Sequence, residues 1–209
     1  AVLTSFFAGQ EQAEGLVDVL FGDADPGGRL PTTFPKALAD HPAYLHHRPD
    51  HASTGAGTQR YGEGLFMGYR GYDARSLAPR FAFGHGLSYG SSDWGEPTAS
   101  THTIDVDGSV TVTVPVTATG ERDATVVVQG YVAPIAPGAK RPPKELKAWA
   151  KAIVTAGTTS EFVLEFGPDA FHHWDTATGS WVVEPGDYDL VIASAADSEH
   201  ARIRITVTA

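Results

Sequence analysis

Residues 61–89 read YGEGLFMGYRGYDARSLAPRFAFGHGLSY, and this stretch separates two halves of the chain that follow different patterns. It holds 7 aromatic residues and 6 glycines in 29 positions, a third of the aromatics of the 209-residue chain. Glycines interrupt each apolar run, so the stretch shows neither a helical nor a strand period. Aromatic side chains bury large areas, and glycine permits close backbone approach. This aromatic–glycine segment is therefore predicted to be irregular but packed, held between larger elements on both sides.

The residues before the aromatic–glycine segment predict one unit of an α/β layer. Residues 1–7 (AVLTSFF) predict a short buried strand, and residues 10–21 predict a helix that ends at Gly22. The apolar face of that helix has the i, i+3, i+4, i+7 spacing and comprises Ala13, Leu16, Val17 and Leu20. Residues 29–35 contain two prolines and are expected to be extended. A lone unit cannot cover both faces of its sheet, so we expect the rest of that sheet to come from sequence outside this chain.

The sequence between and after these elements predicts two connecting regions and a second domain. Residues 36–60 are poor in apolar side chains and predict a long surface loop, and residues 91–102 have the composition of a linker. From residue 103 onward apolar and polar residues alternate, as in VTVTVPVT at 110–117. About seven such runs, separated by turn residues, predict an immunoglobulin-like antiparallel sandwich. The runs are 110–117, 124–132, 151–155, 161–166, 180–184, 188–192 and 203–207.

Composition excludes several classes of site and partner. The formal charge of −10 and the pI near 5.2 disfavour binding to nucleic acid and docking on anionic membranes, which both require clustered Lys and Arg. The chain has no cysteine, so it has no disulfide, iron–sulfur cluster or cysteine-bound zinc. The sequence predicts neither a cofactor nor a resident metal. No apolar run is long enough to predict a membrane-spanning helix.

Six blocks of the sequence resemble the C-terminal region of glycoside hydrolase family 3, the β-glucosidase type, and they occur in the family's order. They are DVLFGDADPGGRLPTTFP (18–35), YGEGLFMGYRGYDA (61–74), FAFGHGLSY (81–89), VTVPVTATGERDATVVVQGYV (112–132), RPPKELKAWAKAIV (141–154) and GSWVVEPGDYDLVIASAA (179–196). The chain departs from the family pattern at Ala118 and Gly130, where the family favours Asn and Leu. It departs again at Phe6 or Phe7, where the family favours Trp.

The resemblance implies a domain order and a parent activity. Residues 1–90 would be the end of an α/β sandwich domain, residues 91–102 a linker, and residues 103–209 a fibronectin type III-like domain. The parent would carry an N-terminal barrel and the rest of the α/β domain, and it would hydrolyse terminal β-linked sugars of a β-glucoside or oligosaccharide with retention. Retention requires two carboxyl groups. In the family these are the Asp of a Ser-Asp-Trp motif on the barrel and a Glu upstream of this region. The chain itself is thus expected to be non-catalytic and structural, a conclusion that also fits its opening inside an apolar run.

Two motifs imitate catalytic signatures. Ser92-Asp93-Trp94 spells the family's nucleophile motif, but it lies in the predicted linker and we interpret it as coincidence. Gly86-Leu87-Ser88-Tyr89-Gly90 fits the G-x-S-x-G elbow of serine hydrolases. That motif needs a strand before it and a helix after it, and neither is predicted here. A serine hydrolase using Ser88 is therefore the weaker alternative, and a packed turn is the favoured interpretation.

Glu63 is the acid best placed to act as a catalyst, because glycine and aromatic residues surround it and burial can raise a carboxyl pKa. The favoured interpretation is a structural ion pair, with Arg70 as one candidate partner. We expect a set of residues in the segment to join the two domains: Tyr61, Glu63, Arg70, Tyr72, Phe83, His85 and Tyr89.

Histidines, tryptophans and lysines suggest further binding sites. A metal could bind at the cluster of His46, His47, Asp50 and His51, or at His172-His173-Trp174-Asp175, although solvated loops are the simpler interpretation. Trp149, Trp174 and Trp181 could stack on sugars if the sandwich were a stand-alone carbohydrate- or protein-binding module. We expect them instead to be core or interdomain anchors. The basic stretch of Lys140, Arg141, Lys144, Lys147 and Lys151 is expected to contact the neighbouring domain.

Overall fold

The computed structural model describes residues 2–44, 46 and 61–209. Its helices are α1 (Gln12–Phe21) and α2 (Tyr69–Ala74), with 3-10 turns at Leu38–Asp40 and Pro168–Ala170. The strands are β1 (Ser92–Trp94), β2 (Thr98–Ala99), β3 (Thr103–Asp105), β4 (Val110–Ala118), β5 (Ala124–Pro134), β6 (Glu145–Val154), β7 (Thr159–Phe166), β8 (His173–Asp175), β9 (Ser180–Val182), β10 (Gly186–Ala195) and β11 (Ser198–Thr208).

Two sheets pack face to face and form the predicted sandwich. In the four-stranded sheet, β4 pairs with β7 along one edge and with β1 and β2 along the other. The five-stranded sheet has the order β3-β11-β10-β5-β6 and is antiparallel apart from the β3–β11 pair. A separate hairpin joins β8 to β9. The all-β second half of the chain is therefore confirmed, preceded by a small mixed region with one three-turn helix.

Alternation along the strands produces the core between the two sheets. The valines of β4, such as Val112 and Val114, point to one side of the strand and are fully buried. The threonines between them point to the other side and are only half-buried. Phe162, Leu164 and Phe166 of β7 face the same core. The period of two that predicted these strands thus follows from one buried face and one wetter face.

The five-stranded sheet differs because both of its faces are buried at the centre. On β5, Val128 and Val132 face the inter-sheet core, while Tyr131 and Ala133 belong to a second apolar cluster on the outer face. Strand β10 divides in the same way, with Val191 on the outer side. A strand covered on both faces reads as a continuous apolar run, as in ATVVVQGYV, since neither face selects polar residues.

The region before residue 29 is less packed than predicted. Helix α1 ends at Gly22 in the left-handed conformation (φ 84°), as expected. Its apolar face is not covered, however, and Val17 and Leu20 are exposed. The strand predicted for residues 1–7 is wrong for the described residues 2–7, because no described strand pairs with them and Phe7 is fully exposed. No described helix combines the length and apolar character needed to span a bilayer.

The prediction that residues 91–102 are only a linker is also wrong. Ser92–Trp94 and Thr98–Ala99 pair with β4, so these residues close the edge of the four-stranded sheet. Composition concealed this because short edge strands tolerate Ser, Asp and Gly. Residues 29–35 form no regular strand, as predicted: Pro31 and Thr32 form a bend, and Phe34 forms an isolated antiparallel bridge with Phe81.

Gly130 tests the packing between the sheets. A Cβ atom at this position would lie 2.5 Å from Phe166 Cζ and 2.9 Å from Leu164 Cδ1. We predict that Gly130→Ala lowers the free energy of unfolding by about 1–3 kcal/mol through overpacking, measured by urea unfolding. The matched control is Gly167→Ala, where φ is −79° and a Cβ would meet nothing within 4 Å. An equal effect at both glycines would contradict this account of the core.

Candidate functional site

Tyr69 anchors the aromatic–glycine segment to the sandwich. Its ring stacks on Phe83 with centroids 5.2 Å apart and meets the edge of Tyr131 at 5.7 Å. Its hydroxyl accepts a hydrogen bond from the backbone N–H of Leu146 on β6, at 2.8 Å. One side chain at the start of α2 is therefore bound by apolar contact to β5 and by a polar contact to β6.

Phe83 completes the cover of the outer face. It packs with Ala82 and Tyr69 against the second apolar cluster of the five-stranded sheet. Its carbonyl accepts a hydrogen bond from Ala196 N, just after β10, at 2.9 Å. The following residue, Gly84, has a φ of +83°, and a Cβ there would lie 2.1 Å from Gln129 Nε2 of β5. Glycine is required at this point because the chain turns while touching the strand.

A polar cluster around Asp25 fixes the start of β5. The Asp25 carboxylate accepts hydrogen bonds from Ser88 Oγ at 2.8 Å, from Tyr89 N at 2.6 Å and from Thr125 N at 3.2 Å. Arg29 donates from Nη2 to the Thr125 carbonyl at 2.8 Å. These five residues come from three parts of the chain that are distant in sequence, namely 25–29, 88–89 and 125. We call this set of residues (Asp25, Arg29, Ser88, Tyr89 and Thr125) the Asp25 clamp.

The clamp also sets the ionisation of Asp25. Partial burial raises the pKa of the carboxyl, but the hydrogen bonds from Thr125, Tyr89 and Ser88 favour the charged form and together outweigh burial. The pKa of Asp25 therefore lies below its usual value of 3.8. Burial in turn lowers the pKa of Arg29, which the charge of Asp25 opposes.

A second charged group ties α2 to β6 and β11. Lys144 is nearly buried, and its Nζ lies 3.6 Å from Asp73 Oδ2 and 3.0 Å from Glu199 Oε1. Burial raises the pKa of the Asp73 carboxyl, and the positive charge of Lys144 only partly offsets it. Lys140 Nζ sits 5.2 Å from the ring centroid of Phe66. Lys144 and Lys140 thus contact the aromatic–glycine segment, and the predicted contact of the basic stretch with a neighbouring domain stays a prediction.

Glu63 and Arg70 line one cavity of about 310 Å³ but form no ion pair with each other. Arg70 Nη2 lies 3.6 Å from Glu145 Oε1 instead, so the suggested partnership with Glu63 is wrong. Glu63 Oε2 is shielded from solvent without a hydrogen-bond partner among the described residues. Phe83 and Tyr69 line the same cavity, which lies between the aromatic–glycine segment and the turn at residues 41–43.

The other predicted joining residues have varied surroundings. Tyr72 is buried, with its hydroxyl unpaired among the described atoms, and Tyr61 is exposed. The centroid of the His85 ring lies 5.2 Å from that of the Phe81 ring, and the backbone carbonyl of His85 accepts a hydrogen bond from Leu30 N. Tyr89 donates its hydroxyl proton to the Val19 carbonyl of α1. Their joint interdomain role stays a prediction.

The catalytic lookalikes have ordinary structural positions. Asp93 is exposed on the edge strand β1, paired with Thr117. Ser88 donates to Asp25 in a turn that neither follows a strand nor begins a helix, so the geometry of a nucleophile elbow is absent there. Ser88 is a clamp residue, as the packed-turn interpretation predicted.

Of the two candidate metal clusters, the first lies largely outside the described residues. His47, Asp50 and His51 lie outside the described residues, and His46 is held in a turn. His172 Nδ1 lies 3.4 Å from Asp169, and Asp175 accepts hydrogen bonds from Thr178 and Ala177. Within the described part of the chain, no group of three or more metal-binding side chains converges.

The three tryptophans are not core residues, so that part of the prediction is wrong, while a role as interdomain anchors stays a prediction. Trp149, Trp174 and Trp181 have exposed fractions of 68%, 50% and 63%. Trp174 and Trp181 face each other across the β8–β9 hairpin as an edge-to-face pair with centroids 5.5 Å apart. Trp174 and Trp181 remain on the surface because the β8–β9 hairpin is a separate two-stranded sheet and no other element covers their side of it in the described residues.

Asp25, Arg29 and Thr125 were not identified from the sequence. Their contacts join residues 63 to 100 positions apart, and local patterns carry no signal at that range. The DADPGGR stretch indicated only a turn.

The Asp25 clamp generates a pH-dependent prediction. Because the pKa of Asp25 is lower in the folded than in the unfolded chain, the ionised carboxylate stabilises the fold at pH values above the unfolded pKa of about 4. This contribution is lost as the pH falls through the folded-state pKa. We predict that Asp25→Asn costs about 1–3 kcal/mol at pH 7 and that this difference from the parent chain shrinks as the pH falls below 3.8 and through the lowered folded-state pKa. Urea unfolding across this range checks it. Asp93→Asn, on the exposed edge strand, serves as the control, and a loss at Asp25 that does not vary with pH would contradict the clamp.

Two family models match most of the chain. Residues 1–89 match the glycosyl hydrolase family 3 C-terminal domain, and residues 126–196 match a fibronectin type III-like domain. These matches fall on the two halves that the aromatic–glycine segment connects.

Known proteins agree with these matches over nearly the whole chain. The chain is 42% identical to a β-glucosidase of Rhizobium radiobacter over 205 residues, and 33% identical to β-glucosidase BoGH3A of Bacteroides ovatus over 208 residues. These alignments cover 98% and 100% of the chain but only 25% and 27% of the two relatives. The chain thus spans about a quarter of their length.

Solved structures show the same relationship in three dimensions. The GH3 β-glucosidase of Bifidobacterium adolescentis superposes with a TM-score of 0.89 at 32% identity, over 98% of this chain and 29% of that one. The β-D-glucoside glucohydrolase of Trichoderma reesei gives 0.83 at 28% identity, over 96% and 29%. The resemblance seen in the sequence is confirmed, and the chain belongs to glycoside hydrolase family 3, where it corresponds to the C-terminal region of β-glucosidase-like members.

Proposed function

We propose that this chain is the non-catalytic bracing region of a retaining β-glucosidase-like enzyme that hydrolyses terminal β-linked sugars. The proposal is carried by one observation: the conspicuous polar side chains of the chain hold its strands and helices together. Asp25 and Ser88 hold the start of β5, and Lys144 joins α2 to β11. These side chains therefore hold elements of the fold together.

The two catalytic carboxylates would lie in preceding domains, which would also select the sugar. We further propose that residues 1–90 end an α/β domain and that the fibronectin-like unit follows it. The exposed apolar side chains of α1 and residues 2–7 support this division, since they form a surface suited to cover by more α/β structure. The joining residues of the aromatic–glycine segment would then keep the two domains in register.

The experiment compares the chain alone with a chimera. The chain replaces the matching region of the Rhizobium radiobacter β-glucosidase, and both proteins are assayed with p-nitrophenyl β-glucoside. We expect turnover by the chimera and none by the chain alone. Glu63→Gln in the chimera should leave kcat and its pH profile unchanged, whereas loss of a general acid would lower kcat by about 10²–10⁴-fold.

Two results would contradict the proposal. One is turnover by the isolated chain that disappears on Glu63→Gln. The other is a Glu63→Gln chimera that folds but shows the loss of kcat expected when a general acid is missing. Asp25→Asn in the chimera gives the matched structural comparison, because it should lower the melting temperature while leaving KM unchanged.

A second candidate function rests on the exposed tryptophans. Trp174 and Trp181 present aromatic surface on a hairpin away from the core, and such surface can stack on sugar rings. Their edge-to-face arrangement offers separate faces, not one flat platform. This observation keeps a carbohydrate-binding sandwich as the alternative to a purely bracing role.

A further inference from the structure

The end of helix α2 contacts the sheet through one lysine that two carboxylates share. Lys144 Nζ donates a hydrogen bond to Glu199 Oε1 at 3.0 Å, but it lies 3.6 Å from Asp73 Oδ2, which is too long for a hydrogen bond. Lys144 is only 8% exposed, so its charge acts mainly on the groups beside it. Asp73 is therefore the less well compensated of the two carboxylates.

Glu199 has a second cationic partner, and Asp73 has none among the described residues. Arg202 donates to the Glu199 carboxylate from Nε at 3.0 Å and from Nη2 at 2.8 Å. Asp73 Oδ2, in contrast, is shielded from solvent and accepts no hydrogen bond from the described part of the chain. Lys144 and Arg202 thus satisfy Glu199 and leave Asp73 with one more distant cation.

The other charged groups near Asp73 leave an excess of negative charge. Asp197, in the turn between β10 and β11, acts on Asp73 as a like charge, and so does Glu199. Arg202 and Tyr72 line the cavity of about 320 Å³ that Asp73 borders. The charged and titratable groups around Asp73 are therefore Tyr72 on α2, Tyr131 on β5, Lys144 before β6, Asp197 before β11, and Glu199 and Arg202 on β11.

These surroundings favour the neutral form of the Asp73 carboxyl. Burial is the largest effect and raises its pKa above the usual 3.8, the charges of Glu199 and Asp197 act in the same direction, and Lys144 only partly offsets them. Burial also raises the pKa of Glu199, but hydrogen bonds from Arg202 and Lys144 outweigh it and hold that pKa below 4.5. Acid therefore protonates Asp73 while Glu199 still binds Lys144.

We propose that Asp73 is a proton-sensitive contact that holds α2 more tightly on the five-stranded sheet when it is protonated than when it is ionised. Protonation removes a poorly solvated negative charge and leaves the Lys144–Glu199 pair in place. Helix α2 also carries Tyr69, which covers the outer face of the sheet, so the aromatic–glycine segment tightens as the pH falls. This contact does not depend on the activity of any parent enzyme.

The direction of the effect follows from proton linkage. A folded-state pKa above the unfolded one makes the folded chain the better proton binder, so the contact is weakest at pH values above the folded-state pKa. It strengthens as the pH falls through that value towards the unfolded pKa of about 3.9. The Asp25 clamp changes in the opposite direction and only below pH 3.8, so the two groups act in separate pH ranges.

An NMR titration of the side-chain carboxyl carbons tests the surroundings of Asp73 in the folded chain. The Asp73 signal is assigned by its absence from Asp73→Asn, and we expect its midpoint to lie above 3.8. Glu199→Gln should lower that midpoint, because it removes a like charge and leaves Lys144 to Asp73 alone. A midpoint at or below 3.8, or one that Glu199→Gln does not lower, overturns the proposal.

Hydrogen exchange of the Leu77 amide tests the contact itself, because this amide donates to the Tyr72 carbonyl at the end of α2, at 3.0 Å. After correction for intrinsic exchange, its protection in the parent chain should rise between about pH 7 and pH 4. The limit of that rise is the ratio of the unfolded- and folded-state acid constants of Asp73.

Two variants complete the exchange experiment. Asp73→Asn resembles the protonated carboxyl, so its Leu77 protection should match or exceed that of the parent chain at pH 7 and lose the rise in acid. Asp93→Asn, on the exposed edge strand β1, is the control and should keep the rise. Protection that stays constant or falls in the parent chain, or a rise that survives in Asp73→Asn, overturns the proposal.

Discussion

Burial of the outer face of the five-stranded sheet is the constraint on which the rest of the structure depends. Strands β5 and β10 carry apolar side chains on both faces, and the second sheet can cover only one of them. The other face is covered by Tyr69 and Phe83 of the aromatic–glycine segment. Complete burial of a side chain such as Val191 is worth about 1.5–3 kcal/mol, so an uncovered outer face would be costly. The sandwich and the preceding segment therefore stabilise each other.

Polar contacts fix the position that apolar burial alone would leave loose. The Asp25 clamp holds the first residues of β5, and the Lys144 group holds the opposite region beside α2. Hydrogen bonds and ion pairs have direction, whereas apolar contact does not, so these groups set the register of the segment on the sheet.

The sequence predicted the parts of the fold that depend on local period. Strand β4 and its neighbour β7 were visible because one face of each is buried and the other is not. The prediction failed where pairing or cover comes from distant residues. Ser92–Trp94 and Thr98–Ala99 form strands by pairing with the edge of β4. The apolar face of α1 has no cover within the described residues. Trp174 and Trp181 are exposed because a hairpin isolates them, which residue type does not reveal.

In the candidate site, too, the sequence predicted some residues but not the contacts that distant residues make. Glu63 and Arg70 were selected from the sequence, and both line the cavity, but Glu145, the actual partner of Arg70, was not identified. The residues of the Asp25 clamp were missed because their contacts cross most of the chain. Chemistry that depends on unpaired atoms becomes visible only when the packing around them is known.

The central claim is that the aromatic–glycine segment and the sandwich form one cooperative unit through Tyr69. Native-state hydrogen exchange in urea, measured on Tyr69→Ala with Tyr69→Phe as the matched control, tests it most directly. We expect Tyr69→Ala to lower the opening free energy of the Ala196 amide and of the β4 amides together, by about 2–4 kcal/mol. Tyr69→Phe should lose only the smaller contribution of the Leu146 hydrogen bond. If the segment opens separately while β4 and β5 keep the full protection of the parent chain, the account is wrong.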